Sequence, residues 1–152
     1  MLTVTPLEPA DRANWERLFR DYIAVSERDE PQGMYDRAWS ALMRDERLHV
    51  LGARLDGALT GIAHFLVHPS ASGPDVCYLE DLFTDAAARG KGVGRALIAA
   101  VGDWAKLQGC ARLYWLTHET NTVARALYEK VAVNRGFIEY DVALTGELGA
   151  SR

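Results

Sequence analysis

The stretch Arg89-Gly90-Lys91-Gly92-Val93-Gly94 is suited to holding an anion. Its glycines let backbone N–H groups approach a phosphate with no Cβ in the way, and Arg89, Lys91 and Arg95 surround it with mobile positive charge. A long amphipathic run starts at Val93, so the loop also opens a helix, whose first-turn N–H groups and dipole favour negative charge. The spacing separates it from two other phosphate loops. Walker A needs G-x-x-x-x-G-K followed by Ser or Thr, and the dinucleotide fingerprint G-x-G-x-x-G opens a first strand-helix-strand unit. The pattern here is R-x-x-G-x-G, after the fourth predicted strand.

Two further groups of residues can carry chemistry. Asn121 is a helix-capping type, and Ala124 and Tyr128, three and seven residues on, share the face it opens, so the tyrosine reaches what the cap touches. Glu80 and Asp81 are adjacent carboxylates on a predicted strand, where alternation sends them to opposite faces. His49, His64, His68 and His118 fit no zinc spacing such as H-E-x-x-H, and no metal is expected. Asp21, Glu27, Asp29 and Glu30 read either as an attraction for a cation or as a solvated face and turn.

The elements that must position these residues follow from periodicity. Apolar and β-branched clusters predict six strands: Met1 to Thr5, Leu48 to Arg54, Ala58 to Val67, Val76 to Phe83, Arg112 to Thr117 and Phe137 to Leu144. Asp56-Gly57 is a two-residue hairpin signal, so the strands on either side should be antiparallel neighbours. Helical spacing covers Pro9 to Val25, Met34 to Arg44, Val93 to Leu107 and Asn121 to Val133. This order predicts an α/β or α+β domain, a mixed sheet covered by helices, and only the tail from Gly146 to Arg152 reads as loose.

The stretch from Tyr78 to Phe137 resembles the cofactor-binding half of the GNAT superfamily of N-acetyltransferases. The likeness rests on R-x-x-G-x-G, on Asn121-x-x-Ala124-x-x-x-Tyr128-Glu129-Lys130, and on Gly136-Phe137. YLEDLFTD and WLTHETNTVARALYEK look like the branch that acetylates histones, polyamines and D-amino acids. The resemblance implies a mostly antiparallel sheet of six or seven strands flanked by four helices, its fourth and fifth strands splayed. It implies acetyl-coenzyme A as cosubstrate and a primary amine as acceptor, attacking directly in a ternary complex. By the same likeness Leu82, Phe83 and Thr84 hold the pantetheine arm, Arg89 to Arg95 (Gly90, Lys91, Gly92, Val93 and Gly94 between them) hold the pyrophosphate, and Asn121 fixes the thioester end. Glu80 matches the position of a general base, with Asp81 in reserve, a backbone N–H near Leu82 serves the oxyanion, and Tyr128 protonates the departing thiolate. Two departures stand out. Val131 to Arg135 lengthens the link before Gly136-Phe137, and little follows Leu144 to build a seventh strand, which is then absent or supplied by a partner.

Composition bounds the alternatives. The 152 residues suit a single domain over 1–152, and 49% hydrophobic content gives it a core. With 17 basic against 21 acidic side chains the net charge is −4, and no basic stripe of the kind nucleic acid requires is present. No run is long and apolar enough for a bilayer, and Cys77 and Cys110 form no C-x-x-C pattern, so a cytoplasmic protein with no membrane partner is expected. The unfilled sheet position predicts a homodimer. A small-molecule amine is the expected acceptor. The competing readings are a protein or histone lysine acetyltransferase and a non-catalytic acyl-coenzyme A-binding module.

Overall fold

The computed structural model describes residues 1–146. The elements run β1 (Leu2–Pro6), α1 (Arg12–Val25), α2 (Gln32–Arg44), β2 (His49–Leu55), β3 (Ala58–Ser70), β4 (Gly73–Thr84), α3 (Val93–Leu107), β5 (Leu113–Tyr114) and α4 (Thr122–Val131). One sheet carries them in the order β1-β2-β3-β4-β5. The first three pairings are antiparallel and β4 pairs with β5 in parallel. The mixed sheet with four helices is thus as expected. Asp56 and Gly57 turn between β2 and β3 with φ of 50° and 88°, the positive pair that a two-residue hairpin requires.

The sheet separates two apolar layers. On one side α1 places Trp15, Leu18, Phe19 and Ile23, and α2 places Tyr35, Trp39 and Leu42, at the spacing that makes one helix face. Their rings pack together, Trp15 lying 5.0 Å from Trp39 and 5.5 Å from Phe19. On the other side α3 buries Val93, Leu97, Ile98, Val101 and Ala105 against Ala53, Ala63, Phe65, Cys77 and Leu79. Trp104 joins this layer 4.8 Å from Phe65. Fully burying a Leu or Val side chain contributes about 2 kcal/mol, so each layer is held chiefly by its helix stripes.

Gly61 on β3 sets how closely α3 approaches. A Cβ there would stand 2.6 Å from Val93 Cγ1, 3.1 Å from Leu97 Cδ1 and 3.2 Å from the Phe83 carbonyl oxygen. No larger residue fits unless the helix start lifts away.

The helix ends move by up to three residues, and the larger differences from expectation lie in the strands. β3 and β4 reach further than the sequence suggests, because Ser70 pairs with Gly73 across a turn of only Ala71 and Ser72. β5 shrinks from the expected Arg112 to Thr117 to two residues, pairing β4 only at Cys77↔Leu113 and Tyr78↔Tyr114. The sixth strand, Phe137 to Leu144, does not form. The neighbouring edge strand β5 is only two residues long, too short to template a strand of eight. Among the described residues the sheet therefore has five strands rather than six or seven. Phe137, Ile138, Tyr140, Val142 and Leu144 remain 73–90% exposed. Of the tail expected to be loose, residues 147–152 lie outside the described residues.

Candidate active site

The glycine loop sits where α3 begins. Gly90 and Gly92 have φ of +77° and +82°, a region that side chains with a Cβ rarely enter, and Gly92 is the N-cap. The Ala96 N–H bonds the Gly92 carbonyl at 3.0 Å, so the N–H groups of Val93, Gly94 and Arg95 have no carbonyl to meet within the helix. A Cβ at Gly90 or Gly92 would meet nothing within 4 Å, so the space before those donors is open. Arg89, Lys91 and Arg95 are exposed around it. Free N–H groups at a helix start suit an anion such as a pyrophosphate, and the Val93 side chain, being buried, leaves only its backbone to contribute. Gly94 has another reason to be small. A Cβ there would lie 3.3 Å from Leu127 Cδ2 and 3.8 Å from Thr84 Oγ1, so this glycine lets α4 and β4 close on α3.

Beyond Tyr78 and Tyr114, β4 and β5 part. The gap opens into a cavity of about 350 Å³ whose walls include Tyr22, Glu80, Leu82, Trp115, Asn121 and Tyr128. The Asp85 N–H donates to Thr60 at 2.8 Å, which fixes the direction of the ladder along this part of β4. Alternation then turns the N–H groups of Phe83 and Asp81 toward β3, and those of Thr84 and Leu82 away from it, into the gap.

A β-bulge in β4 governs which side chains reach this cavity. His64 faces Asp81 and Phe65 faces Leu79, so Glu80 is the extra residue. Cys77 and Leu79 point to the α3 side. Without the bulge Asp81 and Phe83 would follow them. With it, Phe83 turns into the α1–α2 layer and Asp81 to the same side, where His64 Nδ1 lies 2.9 Å from its Oδ2. Glu80 and Asp81 thus take different environments, one at the cavity wall and the other tied to His64.

Asn121 caps α4, its Oδ1 accepting the Ala124 N–H at 3.2 Å. Seven residues on, Tyr128 packs its ring edge-on to Trp115 at 5.3 Å. Burial raises the Tyr128 hydroxyl above its ordinary pKa of 10.0, so it is protonated at neutral pH. Among the residues expected to hold the pantetheine arm, Leu82 lines the cavity, Phe83 sends its side chain into the core, and Thr84 lies beside Gly94.

The acidic residues of the first helix and its turn are a solvated face: Asp21 pairs with Arg17 at 3.9 Å and Glu30 with Arg28 at 2.9 Å, while Glu27 and Asp29 are exposed. A larger depression, about 630 Å³, runs along the outer side of α1. Its walls are that helix's own side chains, Glu16 bridging Arg12 at 3.6 Å and Arg20 at 3.1 Å, with no second element opposite. The smaller cavity, at the sheet gap, is the one lined by the candidate residues Glu80, Leu82, Asn121 and Tyr128. It also holds Tyr22 and Ser26, which the sequence reading passed over. A signal existed: Trp15, Phe19 and Tyr22 share a helix face, and His64 sits inside an apolar strand.

A model of the acetyltransferase (GNAT) family matches residues 13–132. The chain belongs to that family. GNAT members are acyltransferases that depend on acetyl-coenzyme A, and this chain is accordingly an N-acetyltransferase. A D-amino-acid N-acetyltransferase of Saccharomyces cerevisiae is 31% identical over 144 residues, covering 91% of this chain and 89% of that protein. An aminoglycoside N(6′)-acetyltransferase of Klebsiella aerogenes is 26% identical over 82% of this chain and 84% of its own length. The crystal structure of a ribosomal-protein-alanine N-acetyltransferase from Brucella melitensis superposes with a TM-score of 0.79, at 25% identity, over 95% of this chain and all of that one. The GNAT fold thus accounts for the splayed parallel pair β4–β5.

Proposed function

We propose that this GNAT protein transfers the acetyl group of acetyl-coenzyme A to a primary amine of a small molecule, both substrates being bound together. The observation that carries the reading is the cavity of about 350 Å³ in the β4–β5 gap, which has Glu80 and Tyr128 in its wall. Its size suits a single amine-bearing group better than a peptide groove. The relatives named for D-amino acids and aminoglycosides support the same class of acceptor.

When bound, acetyl-coenzyme A supplies the thioester carbon that the amine attacks. The N–H groups of Val93, Gly94 and Arg95 bind the pyrophosphate, with Arg89, Lys91 and Arg95 adding charge and Gly90 and Gly92 keeping the approach clear. Leu82 and Thr84, whose N–H groups face the gap, offer backbone groups to the pantetheine arm. The Phe83 backbone is taken up by the pairing with β3 and its side chain by the core. Asn121 orients the thioester end. An alkylammonium has a pKa of about 10.4 and must lose a proton before it attacks. Glu80 accepts that proton through water; Asp81 is engaged with His64 instead. The Leu82 N–H, directed into the gap, donates to the acyl oxygen as negative charge develops there. Tyr128 donates its proton to the leaving sulfur.

The chain acts as one domain and as a homodimer in the cytoplasm. Support for the dimer comes from the exposed apolar segment after α4, and support for a reducing compartment from the two free thiols. No helix among the described residues is long and apolar enough to cross a membrane.

The test has two parts. Millimolar acetyl-coenzyme A should raise the melting temperature, since a ligand of the native state stabilises it. Release of free thiol should then be followed across D-amino acids, polyamines, aminoglycosides and lysine peptides. Turnover with peptides alone would favour a protein acetyltransferase, and cofactor binding without any turnover would favour a binding module.

A further inference from the structure

His64 is buried in the layer of α1 and α2, with Phe19 edge-on to its ring at 4.7 Å, and both of its nitrogens are engaged. Trp15 donates its Nε1–H to His64 Nε2 at 2.9 Å. An indole nitrogen only donates, so Nε2 is the lone-pair nitrogen and the imidazole proton sits on Nδ1. Nδ1 then donates to Asp81 Oδ2 at 2.9 Å, across the β3–β4 pair.

This bond falls where the apolar pattern cannot fix the register of β4. On either side of the bulge Leu79 pairs with Phe65 and Leu82 with Ala63, which leaves Glu80 and Asp81 to share the single partner His64. Asp81 takes it and Glu80 is the extra residue. Moving the bulge one position along would set Glu80 opposite His64 and make Asp81 the extra residue, with both leucines unmoved and both apolar layers intact. What separates the two arrangements is the imidazole N–H, which requires an acceptor on the residue directly opposite. The Asp81 carboxylate meets it at 2.9 Å. Glutamate, one methylene longer, overreaches that point unless its chain folds back.

We propose that His64 is a positioning residue for the proton acceptor: by holding Asp81 it pins the bulge at Glu80, and so decides which of two adjacent carboxylates stands in the cavity wall. This rests on the reading of Glu80 as the base. Trp15 belongs to the same device, since its N–H keeps the imidazole proton on the nitrogen that meets Asp81.

The test compares His64→Asn with His64→Leu, using whichever amine among a D-amino acid, a polyamine and an aminoglycoside the unaltered chain acetylates fastest. The two replacements have nearly the same shape, and both give up the Trp15 bond. Only asparagine keeps an N–H where Nδ1 stood. His64→Leu should lower kcat about a hundredfold, the cost of misplacing a catalytic group by roughly an ångström. His64→Asn should recover most of that loss. The KM for acetyl-coenzyme A should hold in both, since the glycine loop opens α3 on the other face of the sheet. The His64→Leu deficit should also narrow as the pH rises toward the pKa of the free amine, about 10.4, where the acceptor arrives already deprotonated. A deficit that stays constant with pH would mark a packing defect and overturn the inference. So would normal kcat in His64→Leu, or equal losses in His64→Leu and His64→Asn. If His64→Leu fails to fold, Asp81→Ala cuts the same bond from its more exposed side and should show the same deficit; normal turnover there would again overturn the inference. Glu80→Gln tests the reading beneath it, because it removes the base and leaves the bulge. Normal turnover in that variant would overturn both.

Discussion

Tyr128 shows how one side chain can be tested apart from its packing. Its ring is held edge-on by Trp115, the residue lines the cavity, and burial keeps its hydroxyl protonated. Tyr128→Phe should therefore keep the fold and the KM for acetyl-coenzyme A. The kcat should fall about a hundredfold, the scale of one general-acid contribution, with kcat/KM falling alike. Near-normal turnover would assign the proton to water and leave Tyr128 a packing residue. Glu80 and Asp81 are instructive neighbours for the same reason. In the sequence they differ by one position and one methylene, and only the bulge gives them separate environments.

At the scale of elements, α3 depends on two glycines for different reasons. Gly61→Ala would put a Cβ 2.6 Å from Val93 Cγ1, so the first turn of α3 must lift, at a cost of about 1–3 kcal/mol for overpacking. Gly92→Ala would meet no atom but would strain a residue at φ +82°, costing about 1–2 kcal/mol. Both should lower the melting temperature. Gly61→Ala should also weaken acetyl-coenzyme A binding by calorimetry, because the displaced turn carries the Val93 and Gly94 N–H groups; unchanged affinity would mean that those donors do not hold the cofactor. Much of this was legible in the sequence. Val93 to Leu107 has the spacing of a helix from end to end, and the glycine loop announces its own geometry. The bulge at Glu80 was not legible, since an extra residue in one strand shows only against its partner β3. Nor was the Trp15–His64–Asp81 line, whose members are distant in sequence and meet only through the α1–β3–β4 packing. The run from Phe137 to Leu144 has the composition of a strand, yet composition does not supply an edge to pair with.

At the scale of the whole molecule, that run is what supports the proposed homodimer. Five large apolar side chains from Phe137 to Leu144 stand 73–90% exposed, beside a sheet whose last strand pairs over two residues. In the proposed homodimer a second copy, related by a twofold axis, would give each segment a surface to cover. Light scattering at micromolar concentration should return twice the chain mass, and the melting temperature should rise with protein concentration. Introducing aspartate at Tyr140 and Val142 together should yield monomers; a monomeric mass for the unaltered chain would refute the proposal. The division of the core into two layers has an optical consequence. Of the four tryptophans, Trp15 and Trp39 lie in the α1–α2 layer, while Trp104 and Trp115 pack on the α3 side. A chain that keeps one pair and carries phenylalanine at the other emits from one face of the sheet alone. Two such chains, heated side by side, tell by their fluorescence which face loosens first.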